Sequence, residues 1–154
     1  MNKISEPKIA VVGATGVVGS EMLAILEERK IPYSEILPLA SAKSAGEIVE
    51  FDDQELVVME LTEDSFKGVD LALFAAGGSV SEKYVPIAAE SGAVVIDNSS
   101  FFRMNQEVPL IVPEVNWGSY ADEKIIANPN CSTIQLMPVL DKINELAGLK
   151  RVVV

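Results

Sequence analysis

Short apolar runs alternate with stretches of helical period along this chain. KIAVV (8 to 12) is followed by a helical pattern from Val17 to Arg29, then EILPLA (35 to 40) and DLALFAA (70 to 76). A second helical pattern, Ser81 to Ser91, leads to AVVID (93 to 97), and KIIAN (124 to 128) precedes a third from Ser132 to Leu146. Apolar runs without alternation suit strands buried on both faces. Their regular exchange with helices predicts an α/β fold, a Rossmann-like, doubly wound and mostly parallel sheet. Between Gly46 and Leu61 the pattern becomes EIVEF, DDQ, ELVVMEL, which predicts an inserted β-hairpin. KRVVV (150 to 154) reads as the opening of one more strand, and the chain stops inside it without turn, cap or polar tail. On that pattern the sequence reads as part of a longer protein, cut near a domain boundary.

Size and composition narrow the picture. The 154 residues, 49% hydrophobic and 23% charged, suit one globular domain spanning 1–154. No apolar run approaches the roughly 20 residues that cross a bilayer, so no membrane partner is expected. MNKISEPK lacks both the apolar core and the cleavage site of a signal peptide, which fits a cytoplasmic protein. Twelve Lys and Arg against 23 Asp and Glu leave a net charge of −11. A field of that sign repels phosphodiester backbones, so no nucleic acid partner is expected.

The first strand runs into a glycine loop, KIAVVGATGVVG, with Gly13, Gly16 and Gly19 at G-x-x-G-x-x-G spacing before the helix. Such a loop supplies a tight turn, a backbone free of side chains for a pyrophosphate, and close contact between helix and strand. The helix N-terminus adds unpaired N–H groups for the anion. Position between strand and helix of the first βαβ unit is the context that makes the motif informative, and it points to a dinucleotide. At the end of the second strand an NAD site usually carries Asp or Glu for the ribose hydroxyls. Here Ala40 is followed by Ser41, Ala42, Lys43 and Ser44. Hydroxyls and an ammonium suit a 2′-phosphate, which favours NADP over NAD.

The single cysteine, Cys131, sits in NPNCSTIQ between the strand KIIAN and a helical pattern. It cannot form an intramolecular disulfide, and no histidine is present to join it in a metal site. Two readings stay open. A lone cysteine is often a small buried apolar residue; at a helix N-terminus the dipole instead favours the thiolate and makes it a nucleophile. Asn130 beside it is suited to donate to a developing oxyanion or to orient a substrate. Arg103 follows the strand that ends in Asp97, where α/β sheets place ligands, and a guanidinium suits a tetrahedral oxyanion. Tyr120-x-x-x-Lys124 has the spacing of a tyrosine–lysine pair that protonates carbonyls, but the segment lacks an apolar helical face and is a chance match.

Taken together, VVGATGVVG, LASAKSAG, AAGGSVS, DNSSFFRM, PLIVPEVN and NPNCSTIQ resemble the N-terminal half of the aspartate-β-semialdehyde dehydrogenase family, in its order and close to its spacing. The resemblance implies that Thr15, Gly16, Val17 and Val18 surround the NADP pyrophosphate, that Lys43 and Ser44 contact the 2′-phosphate, and that Ala76 and Gly77 form the second cofactor loop. It makes Cys131 the nucleophile that forms an acyl-thioester, Asn130 its substrate-positioning neighbour and Arg103 the holder of phosphate. The implied reaction reduces aspartyl phosphate to aspartate semialdehyde with release of phosphate, toward lysine, threonine and methionine. The resemblance also implies a homo-oligomer for the full-length enzyme, and a C-terminal substrate and dimerisation domain absent from this chain. Lys43 stands where many relatives have arginine, and Ala75 where a serine is common. The family's general-base histidine has no counterpart in these 154 residues. The chain alone is therefore expected to bind NADP without turning over and to expose an apolar face. Two alternatives are a non-catalytic NADP-binding module with Cys131 in the core, and a relative of the N-acetyl-γ-glutamyl-phosphate reductases.

Overall fold

A computed structural model describes residues 6–153. The leading MNKIS of the segment weighed against a signal peptide, and Val154 of KRVVV, lie outside the described residues. Among the described residues eight strands form two sheets. β1 (Lys8–Val12), β2 (Glu35–Ala40), β5 (Met59–Glu60), β6 (Leu71–Phe74), β7 (Val94–Asp97) and β8 (Ile125–Ala127) build a six-stranded sheet in the order β5-β2-β1-β6-β7-β8, parallel throughout. β3 (Ile48–Phe51) and β4 (Gln54–Val57) form the antiparallel hairpin. Helices α1 (Val17–Glu28), α2 (Gly78–Glu90), α3 (Pro113–Asn116) and α4 (Cys131–Ala147) are joined by two short 3₁₀ helices, Glu63–Phe66 and Trp117–Ser119.

The apolar runs explain the two layers. Along β1, Ile9 and Val11 enter one cluster with Leu23 and Leu26 of α1, Ile36 and Phe51. Ala10 and Val12 enter the opposite cluster with Leu37, Leu39, Phe66, Phe74, Val85 of α2 and Val95. Successive strand residues point to opposite faces, so a continuous apolar run is what a sheet covered on both sides requires. Strand order reverses between β1 and β6. Ligands of open α/β sheets bind at that switch point, outside the carboxyl ends of the strands.

Two sequence expectations change. The hairpin is shorter than Gly46 to Leu61: its turn is Asp52–Asp53, both at positive φ, as the favoured two-residue hairpin turn requires. After the buried Val58 the chain leaves the hairpin, and Met59–Glu60 pair in parallel with Leu39–Ala40. That short strand satisfies backbone groups on the edge of β2, which a longer hairpin would leave unpaired. KRVVV is the second correction. Lys150 to Val153 form no strand, because among the described residues no neighbouring strand offers them a ladder and an unpaired strand has no hydrogen bonds to hold it. Helix ends move by a few residues, α2 starting at Gly78 rather than Ser81. α4 has no buried residue, and Leu136, Val139, Ile143 and Leu146 are exposed along it.

Candidate functional site

The glycine loop is built as a cradle. Gly13 has φ +86°, a conformation that side-chain-bearing residues rarely adopt, and its N–H donates to Leu39 O at 2.8 Å. Ala14 N–H donates to the same carbonyl at 3.1 Å, which ties the loop to the end of β2. A Cβ on Gly13 would lie 3.1 Å from the carbonyl carbon and oxygen of Ala75, so the loops after β1 and β6 pack backbone against backbone across the switch point. A Cβ on Gly19 would fall 2.1 Å from Gly13 O, so only glycine lets α1 approach the loop this closely. The helices on either side start alike. α1 has Gly16 and α2 has Gly77 at the N-cap, and neither has a side-chain cap. First-turn N–H groups without caps are donors for an anion. By contrast Asn130 caps α4 with its own side chain.

Between these loops lies a cavity of about 480 Å³, within the range of small-molecule sites. Gly13, Thr15, Gly16, Ser41 and Ala76 line it, together with Ala42, Glu60, Leu61, Ala75, Val80 and Tyr84. Val17, Val18 and Gly19 sit in the first turn of α1, and Val17 is 91% exposed beside the loop. Lys43 and Ser44 lie outside the wall, in a turn closed by Ser44 N–H and Ala45 N–H donating to Ser41 O. Gly77 belongs to the mouth as the α2 cap. A glycine cradle and two uncapped helix N-termini fit the pyrophosphate of a dinucleotide, with Leu61, Val80 and Tyr84 offering apolar surface. Glu60, Leu61, Val80 and Tyr84 were not found by sequence reasoning; only a spacing that predicts the parallel pairing of β5 with β2 would have pointed to the first two.

Past β7 and β8 a second group of residues converges. Arg103 is half-buried; its Nε donates to Asn128 O and its Nη2 to Asn98 O, both at 2.9 Å. Two of its five N–H donors are thereby used, and three remain for an anion. The same two strand ends are joined by the side chains, Asn128 Nδ2 donating to Asn98 Oδ1. Arg103 is thus anchored to the backbone of Asn128, which lies three residues before Cys131. Asn130 Oδ1 accepts from Ser132 N–H at 3.0 Å and lies 4.0 Å from Cys131 Sγ. With its oxygen held by the helix, the Asn130 amide keeps its NH₂ donors for another group. Cys131 is exposed at the first residue of α4, so this fold does not use the thiol as core.

Next to Asn98, whose carbonyl holds Arg103, the end of β7 carries a buried carboxylate. Asp97, 0% exposed, accepts from Ser81 Oγ at 2.7 Å through Oδ1, and from Ser99 through N–H to Oδ1 at 3.0 Å and Oγ to Oδ2 at 2.7 Å. Ser99 Oγ in turn accepts from Phe101 N–H. Asp97 therefore fastens α2 and the Asn98–Phe101 segment to the end of β7, which positions the loop carrying Arg103.

Tyr120 and Lys124 do not form a catalytic pair. Tyr120 follows the 3₁₀ turn Trp117–Ser119, and Lys124 Nζ donates to Gly92 O at 3.2 Å. The Tyr120 phenol is pushed up from its ordinary value, by burial first and then by the Asp122 and Glu123 carboxylates, the wrong direction for proton transfer near neutrality. Larger concavities exist elsewhere, and neither suits a dinucleotide. One of about 610 Å³ presents Glu27, Glu28 and Asp52, and an apolar one of about 760 Å³, between Ile25, Ile96, Trp117 and Pro138, lacks the glycine loop. No cluster of possible metal ligands occurs among the described residues.

Known proteins share this arrangement. The NAD-binding domain of semialdehyde dehydrogenases matches residues 8–122. Aspartate-semialdehyde dehydrogenase of Campylobacter jejuni is 59% identical over 150 residues, 94% of this chain and 44% of that protein. The crystal structure of aspartate semialdehyde dehydrogenase II of Vibrio cholerae complexed with ASA superposes with a TM-score of 0.89 at 45% identity, over 95% of this chain and 49% of that one. The Candida albicans aspartate semialdehyde dehydrogenase with NADP superposes with a TM-score of 0.74 at 26% identity, over 94% of this chain and 48% of that one. The chain thus spans less than half the length of these relatives.

Proposed function

The chain belongs to the family of semialdehyde dehydrogenases through their NAD-binding domain, and on that premise we propose that it is the cofactor-binding, nucleophile-bearing part of an NADPH-dependent aspartate-semialdehyde dehydrogenase. The observation that carries the proposal is the presence, past the carboxyl ends of strands of one parallel sheet, of both a glycine cradle after β1 and an exposed thiol at a helix N-terminus after β8.

The chemistry assigns each residue a task. Cys131 thiolate attacks the acyl carbon of aspartyl phosphate, the carbon–oxygen bond to phosphate breaks, and a thioester to Cys131 remains. Arg103, with three free N–H donors, receives the departing phosphate. The Asn130 amide donates to the acyl oxygen as negative charge develops there. Bound in the cradle, the reduced nicotinamide supplies the hydride for the thioester carbon. Collapse then releases aspartate semialdehyde and returns the thiolate, and a histidine outside these 154 residues handles the protons. Lys43 and Ser44 favour the 2′-phosphate of NADP. The chain by itself binds cofactor and does not turn over; the complete enzyme is a soluble cytoplasmic homo-oligomer with a separate substrate domain.

Thiol chemistry tests the assignment of Cys131. Iodoacetamide at neutral pH is expected to modify Cys131 in the native protein about as fast as in the unfolded chain, because the thiol is exposed at the first residue of α4. Mass spectrometry reads the rate. Protection of the thiol until denaturation removes the support for a nucleophile.

A further inference from the structure

The residue that most often discriminates NAD from NADP is a carboxylate at the end of the second strand. Here β2 ends at Ala40 and Ser41 follows it, neither of them acidic. The fold places a carboxylate one strand further out. β5 pairs in parallel with β2 in the register Leu39↔Met59 and Ala40↔Glu60, so Glu60 sits beside Ala40 at about the 4.8 Å spacing of neighbouring strands. Its backbone is fixed on both sides: Leu61 N–H donates to Ala40 O at 2.7 Å, and Ser65 Oγ donates to Glu60 O at 3.3 Å. Glu60 is exposed, lines the cavity with Ser41, Ala42 and Leu61, and makes no salt bridge among the described residues. Neighbouring acids behave otherwise, Glu63 pairing with Lys83 and Asp64 with Lys67.

We infer that Glu60 is a cofactor-specificity residue that opposes the 2′-phosphate and moderates the preference for NADP created by Lys43 and Ser44. The inference rests on the dinucleotide reading of this cavity. A 2′-phosphate at the β2 edge would meet the Lys43 turn on one side and the Glu60 strand on the other. Lys43 is a flexible point charge, whereas Glu60 stands on hydrogen-bonded strand backbone. The two effects are opposite in sign, and a 2′-hydroxyl, being uncharged, escapes both.

The test is calorimetric titration of the wild-type chain, Glu60→Gln and Glu63→Gln with NADP and with NAD at low ionic strength. Glu60 is exposed, so the glutamine variant is expected to keep the fold, and circular dichroism checks this. Removing one partly screened carboxylate is expected to tighten NADP about three- to tenfold and to change NAD by less than about twofold. Glu63→Gln removes the same charge outside the cavity and is expected to leave the NADP-to-NAD ratio unchanged. An unchanged or lower ratio in Glu60→Gln, or an equal gain in Glu63→Gln, overturns the role of Glu60 while leaving the dinucleotide site standing. No binding of either dinucleotide to folded wild-type chain overturns the site and this inference together.

Discussion

Replacing Gly19 by alanine is expected to destabilise the chain by about 3 kcal/mol, the upper end of the cost of forcing extra atoms into a packed interior. The sign is opposite to what helix propensity gives, since alanine inside a helix is favoured over glycine by roughly 1 kcal/mol. The conflict is decided by geometry. The new Cβ would sit 2.1 Å from Gly13 O, 2.7 Å from Gly13 C and 2.8 Å from Ala14 Cα, all backbone atoms of the loop itself. None can rotate away, so α1 must move off the loop, and the cradle opens. Gly16→Ala is the internal control: its Cβ would lie 3.3 Å from Gly13 O, a contact relieved by a few tenths of an ångström. Urea unfolding of the two variants measures the difference. A Gly19→Ala protein as stable as wild type would mean that the helix does not pack against the loop in this way.

Asp97→Ala is expected to cost about 3 kcal/mol, the upper end of the range for leaving buried donors without their acceptor. Asp97 is fully buried, and its oxygens accept three hydrogen bonds from Ser81 and Ser99. Alanine leaves those donors without acceptors and a cavity beside Phe74 and Val95. Asp97→Asn keeps the volume but puts an NH₂ where Oδ2 accepted from Ser99 Oγ, so that hydroxyl must accept instead of donate, and about 1 kcal/mol is expected. Guanidinium unfolding gives both numbers. A loss below about 1 kcal/mol for Asp97→Ala, smaller than the range for an unsatisfied buried polar group, would show that the network holds nothing in place.

Particular residues show how far the sequence could be read. Lys8–Val12 and Glu35–Ala40 match the expected strands residue for residue, because unbroken apolar runs bounded by Gly and Ser admit few other structures. The N-terminus of α4 was legible from the helical pattern that begins at Ser132, although the capping role of the Asn130 side chain shows only in the fold. Glu60 was hidden. EL-VV-ME-L continues a strand pattern through Val58, and the change of sheet there depends on the free edge of β2, a tertiary fact. The Asp97 network was hidden too, since Ser81 lies 16 residues away and meets the carboxylate only when α2 docks on β7. Composition around Cys131 left core and nucleophile open, and the exposure of the thiol depends on how α4 leaves the sheet. KRVVV shows the opposite failure, a strand composition with no partner strand to realise it.

The glycine cradle as a working dinucleotide site is the premise on which the cofactor residues, Glu60 included, depend. Isothermal titration of the folded 154-residue chain with NADP, followed by NAD, measures it directly. Saturable one-to-one binding of NADP, tighter than that of NAD, is the expected result. Absence of saturable binding by either dinucleotide, in a sample whose cooperative unfolding proves it folded, would contradict it.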